Sequence, residues 1–300
     1  MSFEGIYCPV VTTFKTNRFD SAAFGSNIEK LLSCGLAGFV ILGSTGESVT
    51  LSMDEKAEIV RLARRCVPTE SGFIVGTGAE ATEKAIELTN RAAEWGADYA
   101  LVITPGYFKS HLSSLAYSEH FQQIADRSPI PIIIYNVPKF TGLDLDVSVI
   151  SELSTHRNIC GIKDSTSNVT KLHELMPCCS ETFSILIGNA GMLWVGLLLG
   201  AQGAILALSN FAGKACVEIF DLLREQKHEA AQLRFLKILP VAKRIVGQYG
   251  IPAIKAAMDM VGYHGGEPRR PLLPADQETT VEIAALLRQA ELIQKYQMRG

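Results

Sequence analysis

Three hundred residues with a 47% hydrophobic share and a 20% charged share supply a large buried core and fit one big domain with an appendage. The formal net charge of −3 offers no basic stripe for phosphate, which argues against nucleic acid, and the charges are spread too evenly for a membrane protein. The opening MSFEGIYCPVVTTF has no basic start, continuous apolar stretch or small-residue cleavage site, so no secretory leader is expected. Seven scattered cysteines, Cys8, Cys34, Cys66, Cys160, Cys178, Cys179 and Cys216, form no CxxC pair and read as reduced thiols of a cytoplasmic protein. Six dispersed histidines contain no HxxxH pair, so no metal site is expected.

Short apolar runs alternate with amphipathic stretches along the chain, the sign of repeated βα units around a parallel sheet. The expected strands are Ile6 to Thr12, Gly38 to Leu42, Phe73 to Gly76, Tyr99 to Ile103, Pro131 to Tyr135, Ile159 to Lys163, Ser184 to Gly188 and Gly203 to Leu206. Runs such as ALVIT and PIIIY are apolar throughout, as strands buried on both faces must be. Between them Phe24, Ile28, Leu31 and Leu32 recur at helical spacing, Ser52 with Glu55 forms a capping box, and Gly96 stops a helix after Trp95. Eight strands allow a closed barrel or an open doubly wound sheet. The count and the regular spacing up to Gly213 favour the (β/α)8 TIM barrel.

After Lys214 the pattern turns helical, over Val217 to Leu223, Glu229 to Gln248, Ile251 to Met260 and Thr279 to Gln297, with an aperiodic Gly262 to Pro274 between the last two. The expected layout is a barrel over residues 1–225 and a C-terminal helical region over 226–300.

In a parallel barrel, chemistry gathers where strands end and βα loops begin. Lys163 follows Cys160, Gly161 and Ile162, and desolvation there favours the neutral amine, a nucleophile toward carbonyls. The structural alternative is a lysine paired with Asp164. Tyr135 ends the fifth run as a proton carrier or an ordinary half-buried aromatic. The loop GSTGES offers backbone N–H groups with the hydroxyls of Ser44 and Thr45, a nest for an anion or a plain tight turn. Together these supply an amine, a proton carrier and donors for a carboxylate, which is what a keto acid needs. A competing GxGxxA, at Gly76, Gly78 and Ala81 with Glu94 as a candidate ribose acid, lacks the last glycine of a dinucleotide fingerprint and sits in the third unit rather than the first.

The motifs GSTGE (43–47), ITPGY (103–107), YNVPKFTG (135–142), GIKDS (161–165) and GIPAIKAAMDMVGY occur in this order over essentially the whole chain. In them the sequence resembles the dihydrodipicolinate synthase/N-acetylneuraminate lyase superfamily of class I pyruvate aldolases. That resemblance implies Lys163 as the Schiff-base lysine and Tyr135 as the acid/base. It implies Ser44 and Thr45 on the keto-acid carboxylate, Tyr107 reaching a neighbouring subunit's site to complete a hydroxyl relay, and Gly188 and Ile205 lining the pocket. It further implies a homotetramer built from dimers and no metal or organic cofactor. Where the synthases carry YNVPSRTG, with an arginine for the semialdehyde carboxylate, this chain has Lys139 followed by Phe140, and a neutral aromatic cannot make that bidentate contact. Ser44 also stands where those synthases usually have threonine. The pattern is closer to 4-hydroxy-2-oxoglutarate aldolases and 2-keto-3-deoxy-sugar-acid aldolases, in which Ser165 would be an additional pocket hydroxyl. The expected reaction is cleavage of a 4-hydroxy-2-keto acid to pyruvate and an aldehyde. Condensation of pyruvate with aspartate semialdehyde, dehydration after the same imine, and a non-catalytic keto-acid sensor are the alternatives.

Overall fold

The computed structural model describes residues 3–293. Eight parallel strands close on themselves: β1 (Gly5–Pro9), β2 (Gly38–Ile41), β3 (Gly72–Gly76), β4 (Tyr99–Ile103), β5 (Ile132–Asn136), β6 (Ile159–Asp164), β7 (Ser184–Ile187) and β8 (Gly203–Ile205). Each pairs with its successor, and β8 returns to β1 through Gly5↔Gly203 and Tyr7↔Ile205. The barrel expectation therefore holds and the open sheet does not. All five β5 residues are buried, because inward side chains fill the barrel while outward ones meet helices.

Alternation divides the core. Tyr7, Val40, Ile74, Leu101, Ile133, Tyr135, Leu186 and Ile205 share the interior, closed at the N-terminal end by Phe3, whose ring lies 4.4 Å from that of Tyr99. The outward residues join the helices in larger apolar clusters. Ser52 accepts from Glu55 N while Glu55 accepts from Ser52 N, completing the capping box, and Gly96 takes φ +95° behind the helix Thr82–Glu94.

Three features depart from the sequence reading. The first apolar run ends as a strand at Pro9, and a hairpin pairs Phe14–Lys15 with Arg18–Phe19. Its two turn residues, Thr16 and Asn17, both have positive φ, as a two-residue turn matched to strand twist requires. The expected helix from Glu229 to Gln248 is two segments, His228–Val241 and the π-helix Ala242–Tyr249. Pro240 has no N–H to continue the ladder, and the next turn widens until Gly250, at φ +72°, donates to the carbonyl of Ile245, five residues back. The last helix is Gln277–Gln289, shorter than Thr279 to Gln297, of which 294–297 lie outside the described residues. Among the described residues no helix is long and apolar enough to cross a membrane.

Candidate active site

A cavity of about 480 Å³ opens at the C-terminal end of the strands. Lys163 and Tyr135 sit opposite each other in the β5–β6 register, both pointing inward and both buried. The Lys163 ammonium lies over the Tyr135 ring, 4.0 Å from its centroid. Asp164 points to the other face of the sheet and bonds Asn136 and Thr166, so the lysine–carboxylate pair that would make Lys163 merely structural does not form. The aromatic face holds the amine in place without neutralising it through a permanent partner.

Ser44 and Thr45 reach the same cavity from a 3₁₀ turn after β2, in which Gly46 and Glu47 donate back to the carbonyls of Gly43 and Ser44. Glu47, at φ 56°, turns into the protein and meets Lys255 at 2.7 Å, with both side chains 1% exposed. Lys255 also donates to the carbonyls of Thr12 and Glu267, and burial pulls its ammonium below the usual lysine range. This ion pair pins the Ser44–Thr45 turn to the helix Ile251–Met260.

Gly188 and Ile205 line the cavity as expected, and so do Ser165 and Phe140. The Ser165 hydroxyl is buried without a hydrogen-bond partner, and a Cβ at Gly188 would stand 2.0 Å from it. Glycine at 188 therefore makes room for that hydroxyl, which is left with hydrogen-bonding capacity for a ligand. Tyr107 is not in the cavity. It is 80% exposed, on a loop whose Gly106 and Tyr107 N–H groups donate to Glu80, beside Phe108 at 63% exposure.

Sequence reasoning gave no role in the pocket to Ser167, Asn189, Gln248, Tyr249 or Ile251. Gln248 and Tyr249 end the π-helix and Ile251 opens the helix after it, so the C-terminal helices form one wall of the site. Their only sequence sign was Pro240 and Gly250 interrupting an otherwise regular helical pattern. Lys139 spans the mouth, its ammonium 2.6 Å from the Gly247 carbonyl. Among the described residues two lysines and no carboxylate or arginine line the cavity, a charge balance suited to an anion.

The competing glycine motif is explained by packing. A Cβ at Gly76 would lie 2.2 Å from the Leu42 carbonyl oxygen, and one at Gly78 would lie 2.5 Å from Ile103 Cγ2. Those glycines allow adjacent strands and loops to approach, with no phosphate needed to account for them. Of the cysteines, Cys8, Cys34 and Cys216 are buried and Cys178 is exposed; all seven are free thiols. Among the described residues no group of three or more His, Cys, Asp or Glu side chains is placed to hold a metal ion.

The closed barrel and a buried lysine at a strand's C-terminal end define an enzyme of the α/β-barrel class. Residues 2–290 match the model of the Dihydrodipicolinate synthetase family, and the chain belongs to that family of lyases. It is 36% identical over 288 residues to a probable mitochondrial 4-hydroxy-2-oxoglutarate aldolase of Emericella nidulans, covering 94% of this chain and 92% of the relative. It is 33% identical over 287 residues to a 4-hydroxy-tetrahydrodipicolinate synthase of Methanothrix thermoacetophila, covering 95% and 96%. Among solved structures, a prophage protein of E. coli from the dihydrodipicolinic acid synthase family, in complex with pyruvate, superposes with a TM-score of 0.91 at 30% identity, covering 97% of this chain and 99% of that one.

Proposed function

We propose that this chain cleaves a 4-hydroxy-2-keto acid to pyruvate and an aldehyde through an imine on Lys163, with 4-hydroxy-2-oxoglutarate as the substrate and glyoxylate as the second product. The observation that carries the choice is Lys139 at the mouth of a cavity that, among the described residues, has no lining carboxylate or arginine. A substrate with one carboxylate for Ser44 and Thr45 and a second for Lys139 matches that layout. The chain's likeness to the Emericella nidulans aldolase points the same way.

In this reading the Lys163 amine attacks the C2 carbonyl while Ser44 and Thr45 hold the adjacent carboxylate. Tyr135, beside the amine, supplies the proton that lets water leave the carbinolamine. The cationic imine then accepts the electron pair of the breaking C3–C4 bond as Tyr135 takes the 4-hydroxyl proton. The aldehyde departs, C3 of the enamine is protonated, and water releases pyruvate and restores the amine. No cofactor takes part. Tyr107, exposed in the single chain, extends the proton relay of a neighbouring subunit in a dimer-of-dimers tetramer. The free thiols fit a reducing compartment such as the cytoplasm.

A second reading, condensation of pyruvate with aspartate semialdehyde, is favoured by the likeness to the Methanothrix thermoacetophila synthase. Pyruvate release from 4-hydroxy-2-oxoglutarate, followed by lactate dehydrogenase and NADH with Lys163→Ala as blank, separates the two. Release by the wild type alone supports the aldolase. Release only from a 2-keto-3-deoxy sugar acid moves the substrate within the same chemistry, and turnover only with aspartate semialdehyde replaces the proposal by the synthase.

A further inference from the structure

Directly behind the amine and phenol lies a second registered pair that the proposed reaction does not use. Asn136 follows Tyr135 and Asp164 follows Lys163, so strand alternation places both on the opposite face of the sheet, where they lie in register, buried, between β5 and β6. The Asn136 amide nitrogen donates to Asp164 Oδ1 at 2.6 Å and to Asp144 Oδ1 at 2.7 Å, and its oxygen accepts from Leu145 N at 3.2 Å. Both of its N–H groups and its carbonyl are therefore engaged. The other Asp164 oxygen accepts from the Thr166 hydroxyl. Asp144 also receives the buried ammonium of Lys171, which donates in addition to the Leu145 carbonyl at 2.6 Å. Main-chain bonds complete the frame: Ser165 N donates to Asn136 O, and Gly188 N to Asp164 O.

We infer that Asn136 is a positioning residue for the Lys163–Tyr135 pair, holding the ends of β5 and β6 so that the amine stays over the phenol; this rests on the imine reading above. Losing the amide leaves the buried Asp164 carboxylate and Leu145 N–H short of a partner, which lowers stability, although an apolar side chain of similar shape would still fill the space. Packing, however, is non-directional, whereas three hydrogen bonds on one amide fix where the strand ends stand. A displacement of a reacting group by an ångström lowers the rate of the step without changing the groups that bind substrate.

The test measures the first-order rate at which saturating pyruvate becomes trapped by borohydride, the half-saturating pyruvate concentration, and Tm. Asn136→Leu is compared with Leu31→Ala, a truncation in the core beneath the helix Ser21–Leu32. The expected result is a trapping rate roughly 10- to 100-fold lower in Asn136→Leu. Its half-saturation stays near the wild-type value, and Leu31→Ala keeps its rate despite a lower Tm. Should Asn136→Leu not fold, Thr166→Val removes the hydroxyl bond to Asp164, together with a 3.4 Å bond from Asn168 N, and is expected to slow trapping in the same way, by a smaller factor. Wild-type trapping rates in the folded variant, or an equal rate loss in Leu31→Ala, overturn the positioning role. A wild type that traps no pyruvate removes the imine reading itself, and the positioning role with it.

Discussion

A hydroxyl buried without a partner costs stability, and the one on Ser165 is kept at the edge of a cavity where glycine at 188 leaves it space. Ser165→Ala is accordingly expected to raise stability by up to about 1 kcal/mol while lowering kcat/KM by roughly tenfold. Urea denaturation and steady-state kinetics on the same preparation check both signs. Lys139 makes a different trade. Its ammonium rests on a neutral carbonyl, which a substrate carboxylate outcompetes through a charge-assisted bond. Lys139→Met should raise KM for a dicarboxylic substrate by roughly 10- to 100-fold and leave KM for a monocarboxylic sugar acid near the wild-type value. Lys163, Tyr135 and the Ser44–Thr45 turn were legible because strand ends are visible as the close of an apolar run. The partner of Lys139 was not, since Gly247 is remote in sequence and only the folded chain brings the two together.

The Glu47–Lys255 ion pair joins the Ser44–Thr45 turn to the C-terminal helices across the barrel rim. Taking away one partner leaves a buried charge alone, so Lys255→Met is expected to lose roughly 3–5 kcal/mol, and adding Glu47→Gln to recover part of it, in a double-mutant cycle by chemical denaturation. The eight strands were readable within a residue or two, except for β1, where apolar Val10 and Val11 continue the hydrophobic run beyond the hairpinless ladder that ends at Pro9. The hairpin escaped notice because its turn is Thr16-Asn17 rather than an Asn-Gly or Asp-Gly pair. The π-helix has the same apolar spacing as the helix before it, so periodicity could not separate them.

Closure of the barrel depends on β8 meeting β1, a contact between the two ends of the pattern that no local signal encodes; the number of units and their regular spacing were the guides. Across the whole molecule, the buried His120 is one source of acid sensitivity, beside ion-paired carboxylates such as Glu55. Burial, opposed in part by Glu80, lowers the His120 pKa to about 4 from 6.5. The folded state thus binds this proton less readily than the unfolded chain. Stability from this group is fully present above pH 6.5 and is lost as pH falls from there to about 4. Thermal melts of wild type and His120→Gln across that interval should show a shallower decline in the variant. With Tyr107 exposed and away from its own cavity, the proposed tetramer predicts that Tyr107→Phe lowers kcat and leaves the oligomeric state unchanged, as kinetics with analytical ultracentrifugation would show.

Borohydride reduction in the presence of pyruvate, followed by peptide mass mapping, tests the Lys163 imine itself. One reduced pyruvate adduct per chain is expected, located on Lys163 and missing from Lys163→Ala. An adduct on another lysine, or an unmodified chain under conditions where the enzyme turns over, would contradict it.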